Sequence, residues 1–297
     1  MYNAIKIGLI GGDSRQRAIA KRFAENGFET AIWGFGDGED VGASVRCVDF
    51  ESVVNKSRAV ILPLPVSRDG VHISTQNNNK YTLRLSQLFE KIEQETVVFG
   101  GKFDDGILEI AAKKGIRVFD VFNNEELQIK NAVPTAEGAI ELALREMDIT
   151  LFGAETLVCG YGRIGRILAD RLKAFGAVVT VAARKPEDIA YINIFGCNST
   201  RFEQGEYLSV AKRADVIFNT VPNVIFDADF FADVRKDSLI IDLATGGGVD
   251  FDAASKNNIR VIHALALPGK VAPISAGEIL FECILEKLCK EGVIAKK

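Results

Sequence analysis

One glycine-rich segment near the middle of the chain constrains the fold more than any other feature. It reads Thr156-Leu-Val-Cys-Gly160-Tyr-Gly162-Arg163-Ile164-Gly165 and leads into an amphipathic stretch that ends near Phe175. A G-x-G-x-x-G pattern alone is a weak signal, but here it follows a buried-strand pattern and opens a helix pattern. The glycines permit a tight turn, a close approach of the backbone to a pyrophosphate, and close packing of helix on strand. The segment therefore predicts that Gly160, Gly162, Arg163, Ile164 and Gly165 bind a dinucleotide, with its phosphates on the free amides of the helix start.

The residues after the next strand pattern bear on which dinucleotide binds. This strand pattern is followed by Arg184, Lys185 and Pro186, whereas an NAD site usually has an Asp or Glu there to hold the ribose 2′-hydroxyl. One charge-assisted hydrogen bond contributes about 1.5–3 kcal/mol, so an Arg–phosphate pair would favour NADP by roughly 10- to 100-fold. We therefore expect NADP rather than NAD, with Arg184 and Lys185 at its 2′-phosphate. The alternative is that both side chains belong to a solvated loop.

Three further residues are expected beside the cofactor because they follow strand patterns. Thr220 and Pro222 come directly after one strand, and Asp242 ends the next, just ahead of the glycines at 246–248. Open α/β sheets bind ligands at the carboxyl ends of their strands. Thr220, Pro222 and Asp242 are therefore predicted to border the cofactor.

Short β-branched runs alternate with amphipathic helical stretches along the whole chain, as in βαβ units with a mostly parallel sheet. The strand candidates form two successive groups, at residues 5–10, 30–33, 59–62, 96–99 and 117–119, and then at 156–159, 178–182, 216–219, 239–242 and 260–263. The sequence thus predicts an α/β fold of two doubly wound Rossmann-like domains with a cleft between them, the second carrying the dinucleotide fingerprint. The first domain spans residues 1–133, and the NADP-binding domain spans 134–297 and opens with a linker helix at 134–149. A terminal helix at 275–291 is expected to pack back on the first domain.

Composition argues against several other classes of protein. The net charge of −4 gives no support for a nucleic-acid partner, and no apolar run approaches the roughly 20 residues that span a bilayer. The five cysteines are odd in number and scattered, which favours a reducing cytoplasm over a disulfide framework. With two histidines and no cysteine pair at ligand spacing, no metal site is expected. We expect a cytoplasmic homo-oligomer that binds neither nucleic acid nor membrane.

A second strand–turn–helix segment lies at the N-terminus and lacks the third glycine of the fingerprint. Gly11 and Gly12 would place free amides at a helix start, beside Asp13 and Arg15. That combination suits a carboxylate or a phosphate, although a purely structural turn is the alternative. Two residues that follow other strand patterns, Pro63 and Lys102, are expected to line the same substrate site.

The sequence does not identify a catalytic residue. There is no nucleophile elbow, carboxylate pair or Ser/His/Asp arrangement, and hydride transfer needs little beyond orientation and one acid or base. The candidates are Arg15, Lys102 and His263, and for His263 a core or capping role is the alternative. His72 is expected at the surface.

Four motifs together carry a resemblance that covers essentially the whole chain. They are Gly11-Gly12-Asp13-x-Arg15-Gln16, Asn131-Ala-Val-Pro134-Thr-Ala-Glu-Gly138-Ala-Ile140, the fingerprint at residues 160–165, and Leu267-Pro-Gly-Lys-Val-Ala-Pro273. The combination resembles the family of dipicolinate synthase A subunits from spore-forming bacteria. The second half is more distantly similar to the cofactor domains of D-2-hydroxyacid dehydrogenases and S-adenosylhomocysteine hydrolase.

The resemblance implies a specific reaction. Acting with a flavoprotein-like B subunit in the mother cell of a sporulating bacterium, such a chain would oxidise a dihydrodipicolinate-type dicarboxylate to pyridine-2,6-dicarboxylate. NADP+ would accept the hydride, and Arg15 would clamp a substrate carboxylate. The Arg/Glu/His catalytic set of the dehydrogenases has no clear counterpart, so their mechanism does not carry over. Two alternatives stay open: a stand-alone NADP-dependent dehydrogenase of a 2-hydroxy or 2-amino acid, and a non-catalytic nucleotide-binding regulatory protein.

Overall fold

The chain folds into two compact units, each built on its own parallel sheet. A computed structural model describes residues 5–35, 41–76, 80–202 and 205–295. Unit 1 comprises Met1–Lys130 and Ala272–Lys297, and unit 2 comprises Asn131–Val271. None of the helices in the described part of the chain is both long enough and apolar enough to span a membrane.

The sheet of unit 1 contains six parallel strands in the order β3-β2-β1-β4-β5-β6. Their bounds are β1 Lys6–Ile10, β2 Glu29–Trp33, β3 Val45–Cys47, β4 Ala59–Ile61, β5 Val97–Gly100 and β6 Arg117–Asp120. This order is that of a doubly wound sheet, whose strand order reverses between β1 and β4. The sequence patterns did not predict β3, which is short, lies at the sheet edge and buries only Val45 of its three residues.

The helices of unit 1 include one from the far end of the chain. Their bounds are α1 Ser14–Glu25, α2 Phe50–Val54, α3 Leu85–Lys91, α4 Asp105–Lys114 and α12 Pro273–Lys290, with a 3-10 turn at Val121–Asn123. Helix α12 packs on α1, where the rings of Phe23 and Phe281 meet edge to face with centroids 4.9 Å apart. A Cβ at Gly277 would lie 2.5 Å from that of Ala18, so the glycine allows this close approach of the two helices.

A long helix, α5 Glu125–Glu146, contains Pro134 in its interior. The predicted linker helix at 134–149 is therefore placed too late, because the prediction put the proline at a helix start, where its missing amide has no consequence. The observed helix instead begins after Asn124, whose side chain accepts a hydrogen bond from the amide of Leu127 (3.1 Å). Pro134 cannot donate to the carbonyl of Lys130, and the division between the units falls directly after that residue.

Unit 2 repeats the architecture. Its six parallel strands have the order β12-β11-β10-β7-β8-β9, with bounds β7 Glu155–Cys159, β8 Val178–Ala183, β9 Asn198–Arg201, β10 Val216–Asn219, β11 Leu239–Asp242 and β12 Arg260–His263. The helices that cover them are α6 Arg163–Ala174, α7 Pro186–Ile194, α8 Glu206–Ala211, α9 Ala228–Asp233, α10 Phe251–Lys256 and α11 Leu267–Val271. Strand β9 was not predicted, because its polar sequence Asn-Ser-Thr-Arg has no hydrophobic pattern.

Candidate functional site

The glycine fingerprint forms the turn between β7 and α6. Gly160 has a φ of +100°, which L side chains rarely adopt, and Gly162 is the N-cap of α6. A Cβ at Gly165 would lie 3.0 Å from the carbonyl carbon of Gly160 and closer still to its oxygen, whereas a Cβ at Gly162 would have no protein atom within 4 Å. Gly160 and Gly165 are thus required by the protein itself, while Gly162 faces open space that a phosphate could fill.

Thr220 lies against this turn, and Pro222 follows it on the exposed loop. The amide and the hydroxyl of Thr220 both donate to the carbonyl oxygen of Cys159, each at 2.9 Å. A side chain at Gly160 would run into the Thr220 hydroxyl. Thr220 therefore fixes the glycine turn from the end of the neighbouring strand, and its predicted contact with the cofactor stays a prediction.

Asp242 is fully buried and braces a neighbouring loop. Its Oδ1 accepts hydrogen bonds from Nδ2 of Asn219 (2.8 Å) and from the amide of Ala244 (3.2 Å). Its Oδ2 has no hydrogen-bond partner among the described residues and lies 3.8 Å from Nε2 of His263. Because no part of its side chain is exposed, the geometry gives Asp242 a supporting position, and its predicted contact with the cofactor stays a prediction.

Arg184 and Lys185 follow β8 directly and are both exposed. Lys185 is the N-cap residue of α7, with Pro186 at the first helical position. Neither side chain forms an ion pair with any carboxylate in the described ranges, so both charges are available to a ligand. The strand thus ends with cations where an NAD site would have a carboxylate.

The N-terminal turn of unit 1 differs from what the sequence predicted. Gly11 and Gly12 have φ values of +65° and +99°, but their amides are not free. The amide of Gly11 donates to the carbonyl oxygen of Trp33 and that of Gly12 to Ser74, both at 2.8 Å. The expectation of free amides is therefore wrong, because neighbouring segments of the unit use both donors.

Arg15 is held by two partners in unit 1. Its guanidinium forms two-pronged hydrogen bonds with the Asp13 carboxylate, and Nη2 also donates to the carbonyl oxygen of Leu64 (2.7 Å). Only 7% of its side chain is exposed. Burial alone would raise the pKa of Asp13, but the hydrogen bonds and charge of Arg15, with a smaller effect of Arg68, lower it. A clamp on a substrate carboxylate would require this network to open, so that role for Arg15 stays an untested prediction.

The other substrate and catalytic candidates lie in different settings. Pro63 is buried and its carbonyl oxygen accepts from the amide of Gly101 (3.3 Å). Lys102 is exposed, and its amide donates to Asp120 (2.9 Å). His263, in unit 2, lies between Asp242 and the ring of Phe251, whose centroid is 5.5 Å from its own. The structure thus places Pro63 and Lys102 at ends of neighbouring strands of unit 1, and His263 at the end of β12.

One pair of side chains with the chemistry of a catalytic site was not predicted from the sequence. Nδ1 of His72 lies 2.8 Å from Oδ2 of Asp69, in a hairpin whose turn contains the Asp-Gly dipeptide at 69–70. That dipeptide is a hairpin signal and could have indicated the pairing. Within the described ranges, no group of three or more His, Cys, Asp or Glu side chains is placed to hold a metal ion.

The fold and the glycine turn are those of a nicotinamide-dependent oxidoreductase. Residues 128–257 match the NAD binding domain of the D-isomer specific 2-hydroxyacid dehydrogenases, and residues 6–122 match the N-terminal domain of the dipicolinate synthase A subunit. The chain belongs to the family of dipicolinate synthase A subunits, since it is 32% identical to the member from Bacillus subtilis over 294 residues, 98% of each chain.

A solved structure and a distant relative agree with this assignment. The crystal structure of the dipicolinate synthase A subunit from Bacillus halodurans superposes with a TM-score of 0.87 at 29% identity, covering 97% of this chain and 99% of that one. Adenosylhomocysteinase of Saccharolobus solfataricus is 29% identical over 107 residues, 33% of this chain and 26% of that one. The resemblance drawn from the motifs and the two Rossmann-like folds are both confirmed.

Proposed function

We propose that this chain carries out the NADP-linked oxidation of a dihydrodipicolinate-type intermediate to pyridine-2,6-dicarboxylate. It would act with a flavoprotein-like B subunit, in the mother cell of a sporulating bacterium. Two hydrogens leave the substrate, one as hydride and one as a proton, and the ring becomes aromatic. NADP+, when bound, supplies the hydride acceptor.

The observation that carries the proposal is the phosphate-binding turn of unit 2 with its adjoining cations. The space beside Gly162 and the helix N-terminus that it caps suit a pyrophosphate. Arg184 and Lys185, exposed and without ion pairs in the described part of the chain, suit the 2′-phosphate that distinguishes NADP from NAD. The chain's own residues thus bind and orient the nucleotide, and the aromaticity of the product gives the oxidation its direction.

Turnover tests the reaction. Purified chain with NADP+ and freshly generated dihydrodipicolinate is expected to produce the ultraviolet absorbance of pyridine-2,6-dicarboxylate, alone or once the B subunit is added. Absence of product in both cases, with nucleotide still bound, would instead indicate a regulatory protein. Product from a 2-hydroxy or 2-amino acid alone would indicate a stand-alone dehydrogenase.

Nucleotide binding tests the cofactor preference. The double variant Arg184→Ala/Lys185→Ala is expected to bind NADPH roughly 10- to 100-fold more weakly while its affinity for NADH changes little, since only NADPH loses charge-assisted hydrogen bonds. Calorimetric titration measures both, and Lys212→Ala, an exposed cation of the same unit that pairs with Asp233, is the control. Equal losses for the two nucleotides would refute the assignment.

A further inference from the structure

A small pocket in unit 1 is built around the Asp69–His72 pair. Its volume is about 310 Å³ and its walls are Arg68, Asp69, His72, Ile73, Ser74, Tyr81 and Thr82. Ligand pockets are roughly 300–1,000 Å³ in volume, so this one is of a size for a small substrate.

The hairpin that carries the pocket is anchored to the glycine turn after β1. Ser67 and Ile73 pair as antiparallel neighbours, the amide of Ser74 donates to the carbonyl oxygen of Val66, and the carbonyl of Ser74 accepts from Gly12 (both 2.8 Å). These bonds hold the pocket at the carboxyl edge of the sheet, where open α/β sheets bind their ligands.

Asp69 fixes the orientation and the tautomer of His72. Its Oδ1 accepts hydrogen bonds from the amides of Val71 (2.9 Å) and His72 (2.8 Å) and from the hydroxyl of Ser67 (3.0 Å). These bonds, with that of the His72 ring, hold the pKa of Asp69 well below its usual range. The carboxylate is thus ionised, so the His72 ring bonds to it through a protonated Nδ1. In that tautomer Nε2 is the acceptor atom, and it has no hydrogen-bond partner among the described residues.

One charged side chain of the pocket is available to a ligand. Arg68 is exposed and forms no ion pair with a carboxylate in the described ranges. The hydroxyl oxygen of Ser74 is buried without a hydrogen-bond partner in the same part of the chain. By contrast, the hydroxyl of Tyr81 donates to the carbonyl oxygen of Phe35 (2.6 Å) and its ring packs on Trp33 at 5.6 Å between centroids, so Tyr81 forms a fixed wall. An available cation suits a carboxylate, and an imidazole nitrogen without a partner suits a ring hydrogen that leaves as a proton.

We propose that this pocket binds the cyclic dicarboxylate substrate, with Arg68 on a carboxylate and Nε2 of His72 as the proton acceptor. The inference rests on the proposed function. One ring hydrogen leaves with its electron pair as hydride to NADP+. The second leaves as a proton to Nε2, and the electron pair of its bond completes the aromatic ring. Asp69 is a positioning residue that stabilises the imidazolium formed.

The first experiment measures binding of pyridine-2,6-dicarboxylate by calorimetry and needs no turnover. Arg68→Gln is expected to weaken binding about 10- to 100-fold, while NADPH affinity stays unchanged. Lys113→Gln, an exposed cation of α4, is the control. Unchanged affinity in Arg68→Gln would overturn the pocket assignment, even if the wild type showed no turnover at all.

The second experiment tests His72 in the chain with its B subunit present. His72→Ala is expected to lower kcat by about 10²- to 10⁴-fold with little change in KM, and added imidazole should restore part of the lost rate. Asp69→Asn, which retains Oδ1 for the turn, should lower kcat with an unchanged melting temperature. A His72→Ala variant with wild-type kcat, or a deficient one that imidazole does not restore, would overturn the role of His72. Failure of wild-type turnover with intact dicarboxylate binding would instead count against the proposed reaction.

Discussion

The three glycines of the fingerprint are alike in sequence but have different physical reasons to be glycine, and substitution by alanine separates them. At Gly165 the new Cβ would meet the carbonyl group of Gly160, 3.0 Å from its carbon. This obstacle is backbone and cannot rotate away, so α6 must shift from β7. At Gly162, where φ is −79° and no protein atom lies within 4 Å of the new Cβ, the fold has no reason to change.

The magnitudes follow from these contacts. Overpacking of this kind costs about 1–3 kcal/mol, and each kcal/mol lowers the melting temperature of a chain this size by roughly 2–4 °C. Gly165→Ala should therefore melt about 2–12 °C lower than the wild type and also bind NADPH more weakly. Gly162→Ala should melt within about 2 °C of the wild type, yet lose at least about tenfold in affinity, because its methyl group occupies the path of the pyrophosphate.

Differential scanning calorimetry and titration with NADPH, run on the same preparations, measure both quantities. The two variants are each other's control, since they lie three residues apart in one turn. Tight NADPH binding by Gly162→Ala would refute the phosphate position, and an unchanged melting temperature for Gly165→Ala would refute the steric argument.

Three other predictions address the supports of the two sites. Because the pKa of Asp13 is lowered in the folded state, its contribution to stability is present above the ordinary pKa and is lost as the pH falls through the folded value. The urea midpoint of the wild type should therefore exceed that of Arg15→Ala at pH 7, and the difference between the two midpoints should narrow below pH 3.8. A difference that stays constant with pH would contradict this. Asp242→Ala leaves donors of Asn219 and Ala244 unpaired, so it should cost about 1–3 kcal/mol of unfolding free energy and weaken NADPH binding. Asp242→Asn keeps an acceptor oxygen and should have a stability close to that of the wild type. Equal losses of stability in the two variants would argue against the bracing role. Gly277→Ala should loosen α12 from α1 and lower the stability of unit 1 by about 1–3 kcal/mol, which would be measured as faster amide hydrogen exchange in both helices. Hydrogen exchange in α1 as slow as in the wild type would show that the contact can accommodate a methyl group.

The sequence predicted those parts of the fold that have a strong hydrophobic pattern. Ten of the strands follow β-branched runs, and the two that were missed, β3 and β9, are short edge strands whose exposed or polar residues carry no such pattern. The glycine turn between β7 and α6 was predictable because its tight backbone geometry requires glycines at a fixed spacing in the sequence. The predicted start of the linker helix at Pro134 was wrong, because a proline at a helix start and a proline inside a long helix cannot be distinguished from the sequence.

The surroundings of the turn after β1 were harder to predict because its contacts are long-range. Nothing near Gly11 or Gly12 in sequence indicates that their amides donate to carbonyl oxygens of Trp33 and Ser74. Likewise, Arg15 can donate to the carbonyl oxygen of Leu64 only when β1 and β4 lie side by side. The local Asp69–His72 pair had a signal in its turn dipeptide, but its significance depends on Arg68, Ser74 and Tyr81, which line the same pocket.

The placement of α12 has a consequence for the order in which the nascent chain can mature. Unit 2 is continuous in sequence, so all of its strands leave the ribosome before α12 does. Unit 1 is made mostly beforehand, yet Leu280, Phe281, Ile284 and Leu288 of its core are added last. Unit 1 is therefore synthesised first but completed last. Until α12 packs on it, unit 1 exposes an apolar face to which chaperones would bind in competition with α12.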